Sequence, residues 1–211
     1  DDIPDDKKPD HARVGEAVYR TAKELQGYIS KLEEIRVPVI AAVHGGVIGG
    51  ALDLITACDM RFASNDAFFC IQEINIGMAA DVGTLQRLPK IIPDSKMREM
   101  AYTGRRMLAD EAKDSGLVGE TYETQDEMLE AVHKLAAEIA SKSPVAIYGL
   151  KAVMNYSRDH NVSDSLDFNA LWSGAMLSQA DMTEAMTAQM EKRDASFDKM
   201  VDVKKFNESK S

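Results

Sequence analysis

The chain has 211 residues, 45% of them hydrophobic and 28% charged, a mixture typical of a folded protein with one sizeable core. Its net charge of -10 disfavours a general nucleic-acid role, because an acidic surface repels phosphate backbones. The sequence contains no run of about 18 uncharged apolar residues, so no membrane span is predicted. Residues 1–12 are charged and interrupted by prolines, which predicts a flexible lead rather than a signal peptide.

The first predicted elements alternate between helix and strand. Apolar residues at steps of three and four over 13–35 predict an amphipathic helix with one stripe against a core. A β-branched apolar run at 39–43 predicts a buried strand. Residues 44–50 hold four glycines, which exclude a stable helix or strand interior and predict a tight turn. Good helix formers at 51–57 then predict a short helix.

Two further strands are predicted at 60–63 and 67–71, followed by a loop over 73–82. The remainder of the chain predicts helices at 95–102, 108–112, 125–140, 144–156 and 163–178, with a capping box at 181–184 before the last helix. We therefore expect an α/β core over 13–124, and a helical region with a polar tail over 125–211.

The glycine-rich turn is a candidate donor of backbone hydrogen bonds. A strand that leads through glycines into a helix leaves N–H groups unpaired, and these can bind an anion or a developing negative charge. The spacing matches neither a dinucleotide-binding fingerprint nor a phosphate-binding P-loop. A turn needed only for packing is the alternative interpretation.

Three carboxylates follow the glycines in unusually apolar company: Asp53, Glu73 and Asp81. Such a group either has a partner or shifts its pKa upward, and a raised pKa suits acid–base chemistry near neutral pH. Each one taken singly is better explained as an exposed or capping carboxylate. Their grouping beside the glycine turn weakens that interpretation without excluding it, so a site stays open as the alternative.

Metal and disulfide chemistry are not predicted. The sequence has no closely spaced pair of histidines or cysteines of the kind that binds zinc. Cys58 and Cys70 lie in apolar surroundings, which predicts buried free thiols in a reducing compartment.

Residues 38–63, with the glycines and Asp53, strongly resemble the signature of the crotonase (enoyl-CoA hydratase/isomerase) superfamily. Residues 69–77 and 83–89 continue this resemblance in register, and 109–118 resembles the helix and turn that follow the core. The resemblance implies a spiral of ββα turns with a C-terminal helical trimerisation region, assembled as a homotrimer or homohexamer. It also implies an acyl-CoA thioester substrate, with no cofactor beyond the coenzyme A that the substrate carries.

The acidic residues distinguish subgroups of this superfamily. Hydratases typically have Glu at the positions of Asp53 and Glu73, and Gly at the position of Asp81. The combination found here resembles the Δ3,5-Δ2,4-dienoyl-CoA isomerases. The resemblance implies that Gly50 N–H binds the thioester carbonyl. It further implies that Glu73 takes the C2 proton, Asp81 protonates C6 and Asp53 orients the site.

Two other functions stay open. A 2-enoyl-CoA hydratase would need two carboxylates to activate water, although Asp53 is one methylene shorter than the usual Glu. A non-catalytic homologue that binds acyl-CoA or supports assembly is the other alternative. Members of the superfamily carry early strands and a second carbonyl-binding loop before the helix at 13–35, so we expect the sequence to be a partial chain. The expected location is cytoplasmic, with the mitochondrial or peroxisomal matrix as alternatives.

Overall fold

The computed structural model describes residues 10–202. Its helices are α1 (His11–Glu34), α2 (Gly50–Thr56), α3 (Thr84–Arg87), α4 (Asp94–Thr103), α5 (Ala109–Ser115), α6 (Gln125–Ala140), α7 (Pro144–Asp159), α8 (Val162–Met176) and α9 (Gln179–Glu191). Short 3-10 helices cover Glu73–Ile76 and Leu88–Lys90. The strands are β1 (Ile40–Val43), β2 (Gly46–Ile48), β3 (Met60–Ser64), β4 (Phe68–Cys70), β5 (Arg106–Leu108) and β6 (Glu120–Tyr122).

Two three-stranded sheets form the centre of the fold. The first has the order β1-β3-β6 with parallel pairs, and the second has the order β2-β4-β5, in which β4 and β5 are antiparallel. Because β1 and β2, and then β3 and β4, enter the two sheets in turn, each pass of the chain adds one strand to each sheet. α2 follows β2, and the 3-10 helix at Glu73–Ile76 follows β4. Because β2 and β4 are parallel, both helices begin at the same end of the second sheet.

The core lies between the sheets and the helices that cover them. Leu52, Phe69, Leu88, Met100, Met107 and Leu117 are completely buried within one hydrophobic cluster. α6 packs against the first sheet through its contacts with β1, β3 and β6, and buries Met128 and Val132. Both cysteines are buried and free, as predicted, and burial raises the pKa of each thiol.

A buried ion pair joins α7 to the start of the first sheet. The side chain of Lys151 is 3% exposed, and its Nζ donates to Asp59 Oδ2 at 2.8 Å. The same ammonium donates to the carbonyls of Leu32 at 2.7 Å and Val37 at 3.0 Å. Asp59 Oδ2 also accepts the N–H of Val39 at 2.7 Å, so one buried charge pair fixes three separate segments.

Helix α1 differs from its prediction in two ways. Asp10 caps it by accepting the N–H of Arg13, so residues 10–12 belong to the helix end and not to a flexible lead. Residues 1–9 of the expected lead and 203–211 of the expected tail lie outside the described residues. The apolar stripe is only partly covered: Leu32 packs on the core, but Val18 is 62% exposed, because amphipathic spacing does not specify what covers each turn.

The prediction that the glycines at 44–50 exclude a strand is wrong. Gly46–Ile48 forms β2 and pairs in parallel with β4. A Cβ at Gly46 would lie 2.9 Å from the ring of Phe68, so this glycine allows close approach of a neighbouring side chain within the sheet. The predicted capping box at 181–184 is also displaced: Ser178 caps α9, its hydroxyl accepting the N–H of Asp181.

Candidate active site

The glycine turn delivers the chain from β2 into α2. Gly49 has a φ of +55°, a conformation that favours glycine, and its N–H donates to the carbonyl of Cys70 at 3.0 Å. Gly50, the first residue of α2, is exposed. The first N–H groups of an α-helix have no acceptor within the helix, so the Gly50 N–H is available to a ligand.

Glu73 lies directly against this turn. A Cβ added at Gly49 would be 2.8 Å from Glu73 Oε1, which places the carboxylate over the glycine backbone. The 3-10 helix that begins at Glu73 is held from behind by Asn75, whose Nδ2 donates to the carbonyl of Gly104 at 3.1 Å. Gly104 has a φ of +61° and no room for a side chain beside the Asn75 amide.

Asp53 is the buried member of the three carboxylates. It lies in the first turn of α2, is 1% exposed, and accepts the N–H of Thr84 on Oδ1 at 2.5 Å. Thr84 begins α3, so the carboxylate satisfies an N–H at a helix start, where negative charge is favourable. Asp53 therefore fixes the end of the loop that carries Asp81.

Asp81 is exposed, within a stretch at 78–83 that has neither helix nor strand. Helix α1 holds this stretch at two points. Gln26 Nε2 donates to the carbonyl of Asp81 at 2.7 Å. At Gly83, two residues after Asp81, the guanidinium of Arg87 lies against the backbone. This guanidinium is paired with Glu33 on α1.

An apolar cavity of about 330 Å³ lies beside the segments that carry Glu73 and Asp81. Ile74 follows Glu73 and Ala80 precedes Asp81, and both line it. The remaining lining comes mainly from α4 and its surroundings: Ile71, Met78, Ala79, Leu85, Met97, Arg98, Ala101 and Tyr102. Apart from Arg98 and Tyr102, these side chains are apolar, so the cavity suits a hydrocarbon group.

The structure thus links the four predicted site residues in two pairs. Glu73 is joined to Gly50 through Gly49, and Asp81 is joined to Asp53 through the loop that ends at Thr84. Sequence reasoning missed the residues that hold these segments, such as Gln26 and Asn75, because their partners are distant in the chain or are backbone groups. Within residues 10–202, no cluster of three or more His, Cys, Asp or Glu side chains could hold a metal ion. In the same range, no helix is both long and apolar enough to cross a membrane.

Comparison with known proteins gives consistent matches. The family described as "Enoyl-CoA hydratase/isomerase" matches residues 11–200. The mitochondrial Δ3,5-Δ2,4-dienoyl-CoA isomerase of Rattus norvegicus is 50% identical over 189 residues, which are 86% of this chain and 58% of the rat protein. The peroxisomal Δ3,5-Δ2,4-dienoyl-CoA isomerase of Arabidopsis thaliana is 46% identical over 191 residues, 90% of this chain and 69% of the plant protein.

A solved structure shares the fold. The crystal structure of enoyl-CoA hydratase from Bacillus anthracis has a TM-score of 0.80 at 30% identity, covering 86% of this chain and 70% of that one. The chain therefore has the predicted crotonase-like α/β fold. It spans less than two thirds of the length of the rat relative. The names of the rat and plant relatives give no support to the expected cytoplasmic location, since one is mitochondrial and the other peroxisomal.

Proposed function

This chain belongs to the enoyl-CoA hydratase/isomerase family, and we propose that it converts 3,5-dienoyl-CoA to 2,4-dienoyl-CoA in fatty acid β-oxidation. The observation that carries the proposal is the position of the Glu73 carboxylate against Gly49, the residue directly before Gly50 in the chain. A base beside a carbonyl-binding donor is what removal of a proton next to a thioester requires. Relatives at 46–50% identity that bear the dienoyl-CoA isomerase name support the choice of substrate.

The proposed reaction moves one proton off the substrate and another onto it. Gly50 N–H donates to the thioester oxygen and stabilises the charge that develops there. The Glu73 carboxylate takes the C2 proton, and the electron pair spreads from the oxygen to C6. The Asp81 carboxylic acid protonates C6, leaving double bonds at C2 and C4. Exchange of protons with water then restores both groups for the next turnover. No cofactor takes part in this scheme.

Asp53 has a positioning role in this proposal. Its Oδ1 is occupied by the Thr84 N–H and its side chain is buried, so it is poorly placed to exchange a proton with a substrate. The same contact argues against the hydratase alternative, in which the residue at this position helps to activate a water molecule. The apolar cavity beside the segments that carry Glu73 and Asp81 supports a fatty acyl chain as the group to be bound.

Assembly and location are part of the proposal. α8 exposes apolar residues on several sides, including Val162, Leu166 and Leu171, each more than 60% exposed. Exposed apolar surface of this extent marks an interaction face, which supports a homotrimer or homohexamer built on the C-terminal helices. We also propose that the protein works in the mitochondrial or peroxisomal matrix, the two locations in the names of the rat and plant relatives.

The test is a diode-array assay of full-length protein with 3,5-octadienoyl-CoA, which watches for the conjugated 2,4-dienoyl thioester. 2-Octenoyl-CoA serves as the hydratase substrate in parallel. We expect conversion of the first and little hydration of the second. Hydration alone would assign the chain to the hydratases, and silence on both would favour the non-catalytic alternative.

Variants then assign the two carboxylates. Glu73→Gln and Asp81→Asn each remove one proton-transfer group without changing its shape, so each should lower kcat by about 100-fold or more. Asp110→Asn, which neutralises an exposed carboxylate in α5, is the matched control and should retain the wild-type rate. A rate close to wild type in the Glu73 or Asp81 variant would remove that residue from the mechanism.

A further inference from the structure

The loop that carries Asp81 depends on α1 for its position. The stretch at 78–83 has no helix or strand of its own, and Asp81 itself is exposed. Its carbonyl oxygen accepts a hydrogen bond of 2.7 Å from Nε2 of Gln26, which lies 55 positions earlier in the chain. An irregular segment without ladder hydrogen bonds takes its geometry from contacts of this kind.

The orientation of the Gln26 amide is fixed by its own environment. Lys23, one turn earlier on α1, donates its Nζ to Gln26 Oε1 at 3.1 Å. An ammonium group only donates, so the amide oxygen faces Lys23 and the amide NH2 group faces the Asp81 carbonyl. The two hydrogen bonds therefore run in one direction: Lys23 donates to Gln26, and Gln26 donates to the Asp81 carbonyl.

A second contact holds the other end of the same loop. The guanidinium of Arg87 lies against Gly83, and its Nη2 donates to Glu33 at 2.8 Å and to Ser30 at 2.9 Å. Arg158 also donates to Glu33. Burial alone would raise the pKa of Glu33, but the hydrogen bonds from the two arginines outweigh it and hold the pKa below its ordinary value. Glu33 therefore stays ionised and keeps Arg87 in place.

Gln26, Ser30 and Glu33 recur at steps of four and three, so they lie on one face of α1. We propose that this face positions Asp81, and that Gln26 is a positioning residue for protonation of the substrate at C6. The inference rests on the proposed isomerase function, and it assigns to α1 a role that its sequence pattern did not indicate. A proton donor displaced by about 1 Å can lose on the order of 100-fold in rate, whereas the loss of one exposed hydrogen bond changes stability little.

The two halves of the reaction allow a direct test. Removal of the C2 proton needs Glu73, and protonation at C6 needs Asp81. With 3,5-octadienoyl-CoA deuterated at C2, loss of the label to water reports the first half, and formation of the conjugated 2,4-dienoyl thioester reports both halves. A change confined to Asp81 therefore lowers isomerisation more than it lowers label loss.

The variant is Gln26→Glu, which keeps the size of the side chain but replaces the donor NH2 by an oxygen facing the Asp81 carbonyl. Lys31→Gln is the matched control: it lies on the same helix, is 69% exposed, and changes the net charge by the same -1. Gln26→Met removes the hydrogen bond without adding charge, and serves if the glutamate variant folds poorly. Thermal unfolding of each variant accompanies the assays.

We expect isomerisation by Gln26→Glu and Gln26→Met to fall at least about 10-fold, with label loss at C2 within about twofold of wild type. The control should match wild type in both. An equal fall in both rates, or no fall in either, would overturn the positioning role while leaving the isomerase assignment intact. Wild-type protein that performs neither reaction would instead overturn the proposed function, and this inference with it.

Discussion

The carboxylate of Glu73 occupies the space in which a side chain at position 49 would begin. A Cβ on Gly49 would lie 2.8 Å from Glu73 Oε1, and the residue also has a φ of +55°. Both the backbone conformation and the close approach therefore require glycine. The close approach of Glu73 means that glycine at position 49 also determines where the proposed base lies.

Gly49→Ala should lower isomerase activity by more than its effect on stability explains. The positive φ costs on the order of 1 kcal/mol in a non-glycine residue, and the methyl group also displaces the Glu73 carboxylate. Gly45→Ala is the matched control, because Gly45 has a φ of +62° with nothing within 4 Å of an added Cβ. Urea denaturation should give similar losses for the two variants, while kcat should fall at least about 10-fold only at position 49. Equal activity in both would show that the carboxylate adjusts freely.

Removing the Asp53 carboxylate should destabilise the loop that ends at Thr84. In Asp53→Ala the buried Thr84 N–H loses its acceptor, which costs about 1–3 kcal/mol in the free energy of unfolding. Asp53→Asn keeps an oxygen at the same place and should retain most of the stability. Chemical denaturation of the two variants against wild type measures the difference. A stable alanine variant would mean that Thr84 finds another acceptor.

The pairing of Glu33 with Arg87 and Arg158 predicts a stability that depends on pH. The pKa of Glu33 is lowered in the folded state, so its contribution is complete above its pKa in the unfolded chain, about 4.3, and is lost as the pH falls through the lower folded value. Glu33→Gln should therefore cost about 1–2 kcal/mol at pH 7, and the gap to wild type should narrow as the pH falls below about 4.

Denaturation by urea at a series of pH values between neutral and acid measures that gap. Glu16→Gln, in an exposed pair with Arg20 on the same helix, is the control and should change the free energy of unfolding by less than about 0.5 kcal/mol at every pH. If the difference in the free energy of unfolding between wild type and Glu33→Gln does not change with pH, the lowered pKa of Glu33 is contradicted.

Loss of the buried ammonium of Lys151 should strongly destabilise the folded protein. Lys151→Met leaves Asp59 with one hydrogen bond and two carbonyls without a donor, for which about 3 kcal/mol is expected. Lys113→Met, which breaks an exposed pair with Glu120, should have a much smaller effect, because solvent screens the attraction between exposed charges. Thermal unfolding compares the two, and similar midpoints would show that the buried pair contributes little.

Long periodic segments were the most predictable part of the fold. The helix predicted at 125–140 matches α6 in both bounds, because sixteen residues contain enough turns for the apolar spacing to be clear. β5 and β6 were missed, since three residues contain no measurable period. Their existence depends on pairing with β4 and β3, which no local pattern specifies.

The candidate site divides in the same way. Gly50 and the three carboxylates were found because a glycine turn and acidic residues among apolar neighbours are local signals. Gln26 and Arg87 gave none: a polar residue on a helix surface is usually solvated, and their contacts span 55 and 54 positions. Residues that hold a site from a distance can be recognised only when the chain is folded.

Gln26 donates its hydrogen bond to the main-chain carbonyl of residue 81, and this contact does not involve the side chain at that position. A protein with glycine at position 81, the residue that hydratases of this superfamily typically carry, could therefore form the same hydrogen bond. Asp53 likewise binds a main-chain N–H of the loop. A scaffold anchored through its backbone lets the residue at the reacting centre mutate while the loop keeps its shape. Because the contacts that fix the loop do not depend on the side chain at position 81, a substitution there can change the chemistry while the fold is kept.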